Sequence, residues 1–158
     1  MTSAGEWAAA MQLALAEARG AGASNDVPIG AVVVSSAIAP VVVAAAHNER
    51  EARQDPTAHA EVLAVRRAAR VTGSWRLDGL TLVVTLEPCA MCAGAVVLAR
   101  IPRLVYGASD PKAGAVGSLW DVVRDPRASF RPEVLGGVLA AESAELLRTF
   151  FRGQRGVR

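Results

Sequence analysis

The sequence predicts an α/β protein, a three-layer α/β/α sandwich built on a largely parallel sheet. Short β-branched runs alternate with stretches of helical periodicity, and no linker or internal repeat interrupts them. The composition of the interior points the same way. Of 158 residues 52% are hydrophobic but only 4% aromatic, so Ala, Val and Leu must fill a core that suits a sheet covered by helices. The length is that of one compact domain, 1–158. At this size a fold buries roughly two-thirds of its unfolded surface and needs no disulfide staples.

Residues 5–19 carry Trp7, Met11, Leu15 and Ala18 at spacings of three and four, an amphipathic helix with Trp7 in the core. Runs 28–34 and 41–46, separated by a turn of small residues, read as a hairpin. In 59–70 the apolar positions Val62, Val65 and Ala69 predict a second helix, and after Asp78-Gly79 the run 80–85 is another strand. Residues 89–100 read as a helix with Met91 packed inward, and 103–106 as a strand ending at Gly107. The glycine- and proline-bearing stretch 108–118 is a loop, followed by a short helix over 119–123 with Trp120 in the core. Residues 142–152 form the last helix, where one of Phe150 and Phe151 is buried.

The formal charge of +2 does not by itself identify a nucleic-acid binder. Residues 1–20 contain acidic residues and no long apolar run, so no signal peptide is expected, and no segment reaches the ~20 apolar residues of a membrane span. Two cysteines three apart cannot brace a secreted scaffold. A soluble, cytoplasmic protein with no membrane partner is expected.

Two short stretches carry chemistry: Thr57-Ala58-His59-Ala60-Glu61 and Glu87-Pro88-Cys89-Ala90-Met91-Cys92. One imidazole and two thiols form a donor set suited to zinc. Cys89 and Cys92 share a helix face, and Pro88 suits a first turn because its missing N–H is not needed there. The positive end of the helix dipole favours thiolates at that end. His59 and Glu61, two apart, reach one site together only from the first turn of a helix. The spacing therefore predicts a site between two helix starts, at the carboxyl ends of the preceding strands. Three protein ligands leave a fourth position for water, whose pKa zinc would lower towards ~7. Glu61 is then the proton carrier, near the metal without binding it. A Cys-x-x-Cys alone fits a redox pair or core packing equally well, and a structural zinc site would want a fourth ligand. The other histidine, His47, lies at a strand end and is expected to face solvent.

His59-Ala60-Glu61 with Pro88-Cys89-Ala90-Met91-Cys92 resembles the signature of the zinc nucleobase deaminases. The resemblance implies one zinc per chain on His59, Cys89 and Cys92, Glu61 as catalytic residue, and a cytidine-deaminase-like fold with a central five-stranded mixed sheet and an N-terminal hairpin. Nearly the whole chain is similar to the bacterial tRNA-specific adenosine deaminases. The similarity runs through 26–32, Asn48, 55–61, 85–89, the loop Tyr106-Gly107-Ala108-Ser109-Asp110-Pro111-Lys112 with 114–119, and Phe150-Phe151-Arg152. It implies that Val27, Pro28, Ala60 and Asp110 line the base pocket and that Asn48 hydrogen-bonds the flipped purine. Phe151 and Arg152 would meet the anticodon stem-loop of a tRNA. The implied reaction is conversion of the wobble adenosine of an arginine tRNA, anticodon ACG, to inosine, by a homodimer. The chain departs from the family at Ser129-Phe130-Arg131, where Asn-His often precedes the arginine. It also lacks Gly or Asp in the turn 35–40 and has no lysine-rich extension before Arg158. Two alternatives stand beside this reading: a deaminase of a free base or nucleotide (guanine or cytosine), and a non-catalytic zinc-binding module.

Overall fold

The computed structural model describes residues 3–156. After a 3₁₀ turn, Ala4–Trp7, come α1 (Ala8–Gly20), the hairpin β1 (Gly30–Val34) and β2 (Val42–His47), and the single turn α2 (Arg50–Arg53). Then follow α3 (Ala60–Thr72), β3 (Thr81–Leu86), α4 (Ala90–Leu98), β4 (Arg103–Ala108), β5 (Glu133–Leu135) and α5 (Ala140–Arg155). The sheet order is β2-β1-β3-β4-β5. β1 is antiparallel to both β2 and β3, while β3, β4 and β5 run parallel. The sheet is thus mixed and five-stranded, not largely parallel. The hairpin reverses β1, and the β2-α3-β3 crossover then steps over that strand.

Side-chain alternation along the strands builds the three layers. Val32 and Val34 of β1, Val83 and Val105 meet Trp7, Met11, Ala14 and Leu15 on one face, with Leu146 of α5 beside them. Ala31, Val33, Leu82, Val84 and Leu104 meet α3 and α4 on the other. Gly30 permits this closeness, because a Cβ there would lie 2.0 Å from the Ala14 carbonyl oxygen and 2.5 Å from the Ala18 nitrogen. Trp7, Met11, Leu15 and Ala18 are all buried, as their spacing requires.

Several expectations need correction. The buried face of α3 is Ala60, Leu63, Ala64 and Ala68, with Val65 and Ala69 only partly covered. These small side chains let the helix lie close on the sheet. Met91 and Trp120 are exposed rather than core. Residues 119–123 form no helix. The N–H groups of Leu119 and Trp120 donate to the Gly114 carbonyl, and Val122 donates to Ala115, folding the segment back on the preceding loop. His47 is half-buried and pairs with Glu17 at 2.9 Å instead of facing solvent. No described helix is long and apolar enough to cross a membrane.

Candidate metal centre and substrate pocket

Two helix starts meet at the carboxyl ends of β2 and β3. His59 occupies the N-cap of α3 in extended backbone (φ −77°, ψ 148°), and Glu61 lies in its first turn. Cys89 occupies the N-cap of α4 in the same way (φ −72°, ψ 176°), with Cys92 one turn in. Asn48 fixes the first of these starts. Its N–H donates to the Ile29 carbonyl (3.1 Å), and its Oδ1 accepts the Ala60 N–H (2.9 Å). That N–H is one of the orphan donors at a helix start, so Asn48, directly after β2, caps α3 from outside the helix.

The His59 Nδ1 lies 3.6 Å from the Cys89 sulfur and 3.5 Å from the Cys92 sulfur. With Zn–S of about 2.3 Å and Zn–N of about 2.0–2.1 Å, nitrogen and sulfur ligands of a tetrahedral zinc stand roughly 3.5–3.6 Å apart. All three donor atoms lie within 4.8 Å of one another, so both the donor set and its spacing fit a zinc ion. The hydrogen bond between the two sulfurs lowers the Cys89 thiol to about 3, aided by His59, and the same bond with burial raises Cys92. Cys89 is thus primed as a thiolate, the form that binds metal. Glu61 is buried at 4% exposure, and desolvation raises its carboxyl to about 6. A carboxyl in that range can take up and release a proton near neutrality.

The cluster opens onto a cavity of about 600 Å³, lined by Val27, Asn48, His59, Glu61, Cys89, Asp110 and Phe151, with Leu86, Glu87 and Lys112. That volume suits a base and its neighbouring groups. Asp110 lines the wall while its Oδ1 also accepts the N–H groups of Lys112 (3.0 Å) and Ala113 (3.3 Å). Neither Phe150 nor Phe151 is buried, contrary to expectation: Phe150 is half-buried and Phe151 47% exposed, the two packing edge-to-face with ring centroids 5.3 Å apart. Three expected contacts sit elsewhere. Pro28 and Ala60 are buried outside the lining. Arg152 pairs with Glu145 at 2.8 Å, and the cations that line the cavity are Arg50, Lys112 and Arg148. The divergent Ser129-Phe130 is held by Arg100, which donates to the Ser129 hydroxyl (3.2 Å) and lies over the Phe130 ring. Sequence reasoning gave Glu87 and Arg50 no role in the pocket. The acid preceding Pro88-Cys89 was the available signal for Glu87.

A family model for MafB19-like deaminases matches residues 5–155. The tRNA-specific adenosine deaminase of Bacillus subtilis (strain 168) is 48% identical over 92% of this chain and 88% of its own length. The chain belongs to the tRNA-specific adenosine deaminase family. Among solved structures, one from biochemical and structural studies of A-to-I editing by tRNA:A34 deaminases is 48% identical with a TM-score of 0.78. The match covers 87% of this chain and 97% of that one. A guanine deaminase from Nitrosomonas europaea shares the fold at 27% identity and a TM-score of 0.75, over 90% of this chain and 83% of that one. The family's α/β fold and the mixed five-stranded sheet described above agree.

Proposed function

We propose that residues 1–158 form one hydrolytic deaminase domain that converts the wobble adenosine of a tRNA anticodon to inosine with release of ammonia. The substrate is the arginine tRNA with anticodon ACG. His59, Cys89 and Cys92 would hold one zinc per chain. The observation that carries the reading is the buried Glu61 carboxyl beside a three-donor cluster that opens onto a cavity of about 600 Å³.

Bound zinc supplies Lewis acidity, bringing loss of a water proton within reach of neutral pH. Deamination adds water across the double bond between the amino-bearing ring carbon and its ring nitrogen, and the carbon–amine bond then breaks. The water oxygen bonds that carbon, Glu61 takes its proton to the ring nitrogen, and a second proton passes through Glu61 to the amine, which leaves as ammonia. Zinc nucleobase deaminases in general divide the roles this way. Because Asn48 Oδ1 is committed to the Ala60 N–H, the group it offers a base is its NH₂, so it selects an acceptor on the purine edge. Val27, Asp110 and Phe151 shape the walls. Arg50, Lys112 and Arg148 face the RNA backbone; Arg148 and Arg152 share Glu145, so each engages fully only by releasing it. The protein acts in the cytoplasm as a homodimer, a reading supported by the exposed apolar side chains of Met91, Leu98, Leu119 and Trp120.

A second reading, a deaminase of free guanine or cytosine, draws on the fold shared with the guanine deaminase. A zinc-binding module without catalysis leaves Glu61 unexplained. Ammonia release separates these. An RNA anticodon stem-loop with a wobble adenosine should react far faster than free adenosine, guanine or the DNA counterpart, since RNA enzymes of this kind read a splayed loop and its 2′-hydroxyls. Equal or faster turnover of free guanine would favour the second reading.

A further inference from the structure

We propose that Glu87 is a positioning residue that holds the 110–118 loop in place as the RNA-facing wall of the cavity. This inference rests on the RNA substrate named above. Glu87 is 2% exposed, at the end of β3, two residues ahead of Cys89. Its Oε2 accepts the Asp110 N–H (3.0 Å) and the Ser118 hydroxyl, and its Oε1 accepts the N–H groups of Val116 (3.0 Å) and Ser118 (3.0 Å). A buried carboxylate is costly unless such donors surround it, and charge-assisted bonds of this kind are the strong ones.

The donors come from both ends of one loop. Between them, Asp110, Pro111, Lys112 and Ala113 form the cavity wall, and no helix or strand runs through 109–118. The carboxylate therefore carries much of the loop's order, alongside the Ala115 N–H bond to the Pro88 carbonyl (2.8 Å) and the Gly114 N–H bond to the Asp110 carbonyl (2.8 Å). Gly114 shows how closely the two are fitted, because a Cβ there would lie 2.4 Å from Glu87 Cδ and 2.5 Å from the Asp110 carbonyl oxygen. One carboxylate thus joins the strand that leads into the two thiols to the wall that carries Asp110 and Lys112.

In Glu87→Gln one acceptor oxygen becomes an NH₂ facing N–H donors, and the loop holds its wall conformation only part of the time. Apparent affinity falls by that fraction, so KM for the wobble-adenosine stem-loop should rise about tenfold while kcat stays within about threefold. One zinc per chain should remain. Ser118→Ala removes a single hydroxyl and should raise KM in the same direction by less, which decides the matter if Glu87→Gln does not fold. Hydrogen exchange of the Val116 and Ser118 amides should quicken in both variants, a readout that needs no RNA. Unchanged exchange, a fall in kcat at constant KM, or loss of metal would each overturn the positioning role. A wild-type enzyme inactive on the stem-loop but showing the exchange change in its variants would instead overturn the substrate reading alone.

Discussion

Glu61 is buried without an ion-pair partner among the described residues, and burial sets its carboxyl at about 6, where proton traffic is easy in both directions. Glu61→Gln keeps the shape but carries no proton, so activity should fall about 10²–10⁴-fold. Metal analysis should still find one zinc per chain, whereas Cys89→Ser or His59→Ala should lose most of it. A zinc-free Glu61→Gln protein would make Glu61 a ligand. In the proposed site Asn48 uses both ends of one amide, its Oδ1 on the Ala60 N–H and its NH₂ toward the base. Asn48→Asp retains an oxygen for the Ala60 N–H and loses the donor to the base, so fold and zinc should persist. Leaving a base edge unpaired costs about 1–3 kcal/mol, which is roughly a five- to 150-fold loss of rate. Asn48→Ala also uncaps α3 beside His59 and should lower the melting temperature and zinc content as well. The meeting of His59, Cys89, Cys92 and Glu61 was legible because their spacing admits a shared site only at helix starts. Glu87 was not, because its four donors lie 23 to 31 residues downstream. Nor was the fate of Arg152, whose acidic partner Glu145 lies seven residues back on the same helix.

Among the elements, the hairpin turn and α2 show how local conflicts are settled. The turn 35–40 lacks glycine, and Ala39 takes the left-handed region at φ 48°. Such a conformation costs an L-residue about 1–2 kcal/mol, so Ala39→Gly should stabilise the protein, offset in part by glycine's extra unfolded-state entropy. Urea denaturation gives the sign. Asp26, buried ahead of β1, accepts the N–H groups of Glu51 (2.8 Å) and Ala52 (3.1 Å) and anchors α2 against the pocket rim. Burial opposes its charge, but those N–H groups and the Ser24 hydroxyl outweigh it, holding the carboxyl below its ordinary 3.8. A depressed carboxyl contributes stability above its unfolded value and loses it as pH falls through the folded one. Asp26→Asn should therefore cost about 1–3 kcal/mol at pH 7, a gap that narrows below pH 3.8. A gap that widens in acid would assign the stability to another group. The long elements were legible from their periodicity. β5 was not, since three residues at a sheet edge carry no period and owe their strand form to pairing with β4.

Across the whole molecule, the layered α/β plan followed from the alternation of strand and helix patterns. The antiparallel placement of β1 against β3 is a topological fact that periodicity along one chain does not encode. Charge at this scale is modest, and the cavity's cations are Arg50, Lys112 and Arg148, the last shared with Glu145. Each neutralised single-strand phosphate contributes about 0.7 to the slope of log affinity against log salt, so stem-loop binding should show a slope magnitude below ~5. A much steeper titration would reveal a larger basic surface that includes Arg53, Arg152 and Arg155. Wobble deamination is read directly by nucleoside mass spectrometry of the ACG-anticodon arginine tRNA after incubation with the zinc-loaded protein. One inosine per tRNA is expected, at the wobble position, with one ammonia released and every other adenosine intact. Adenosine left unconverted at that position while free guanine is deaminated would contradict it.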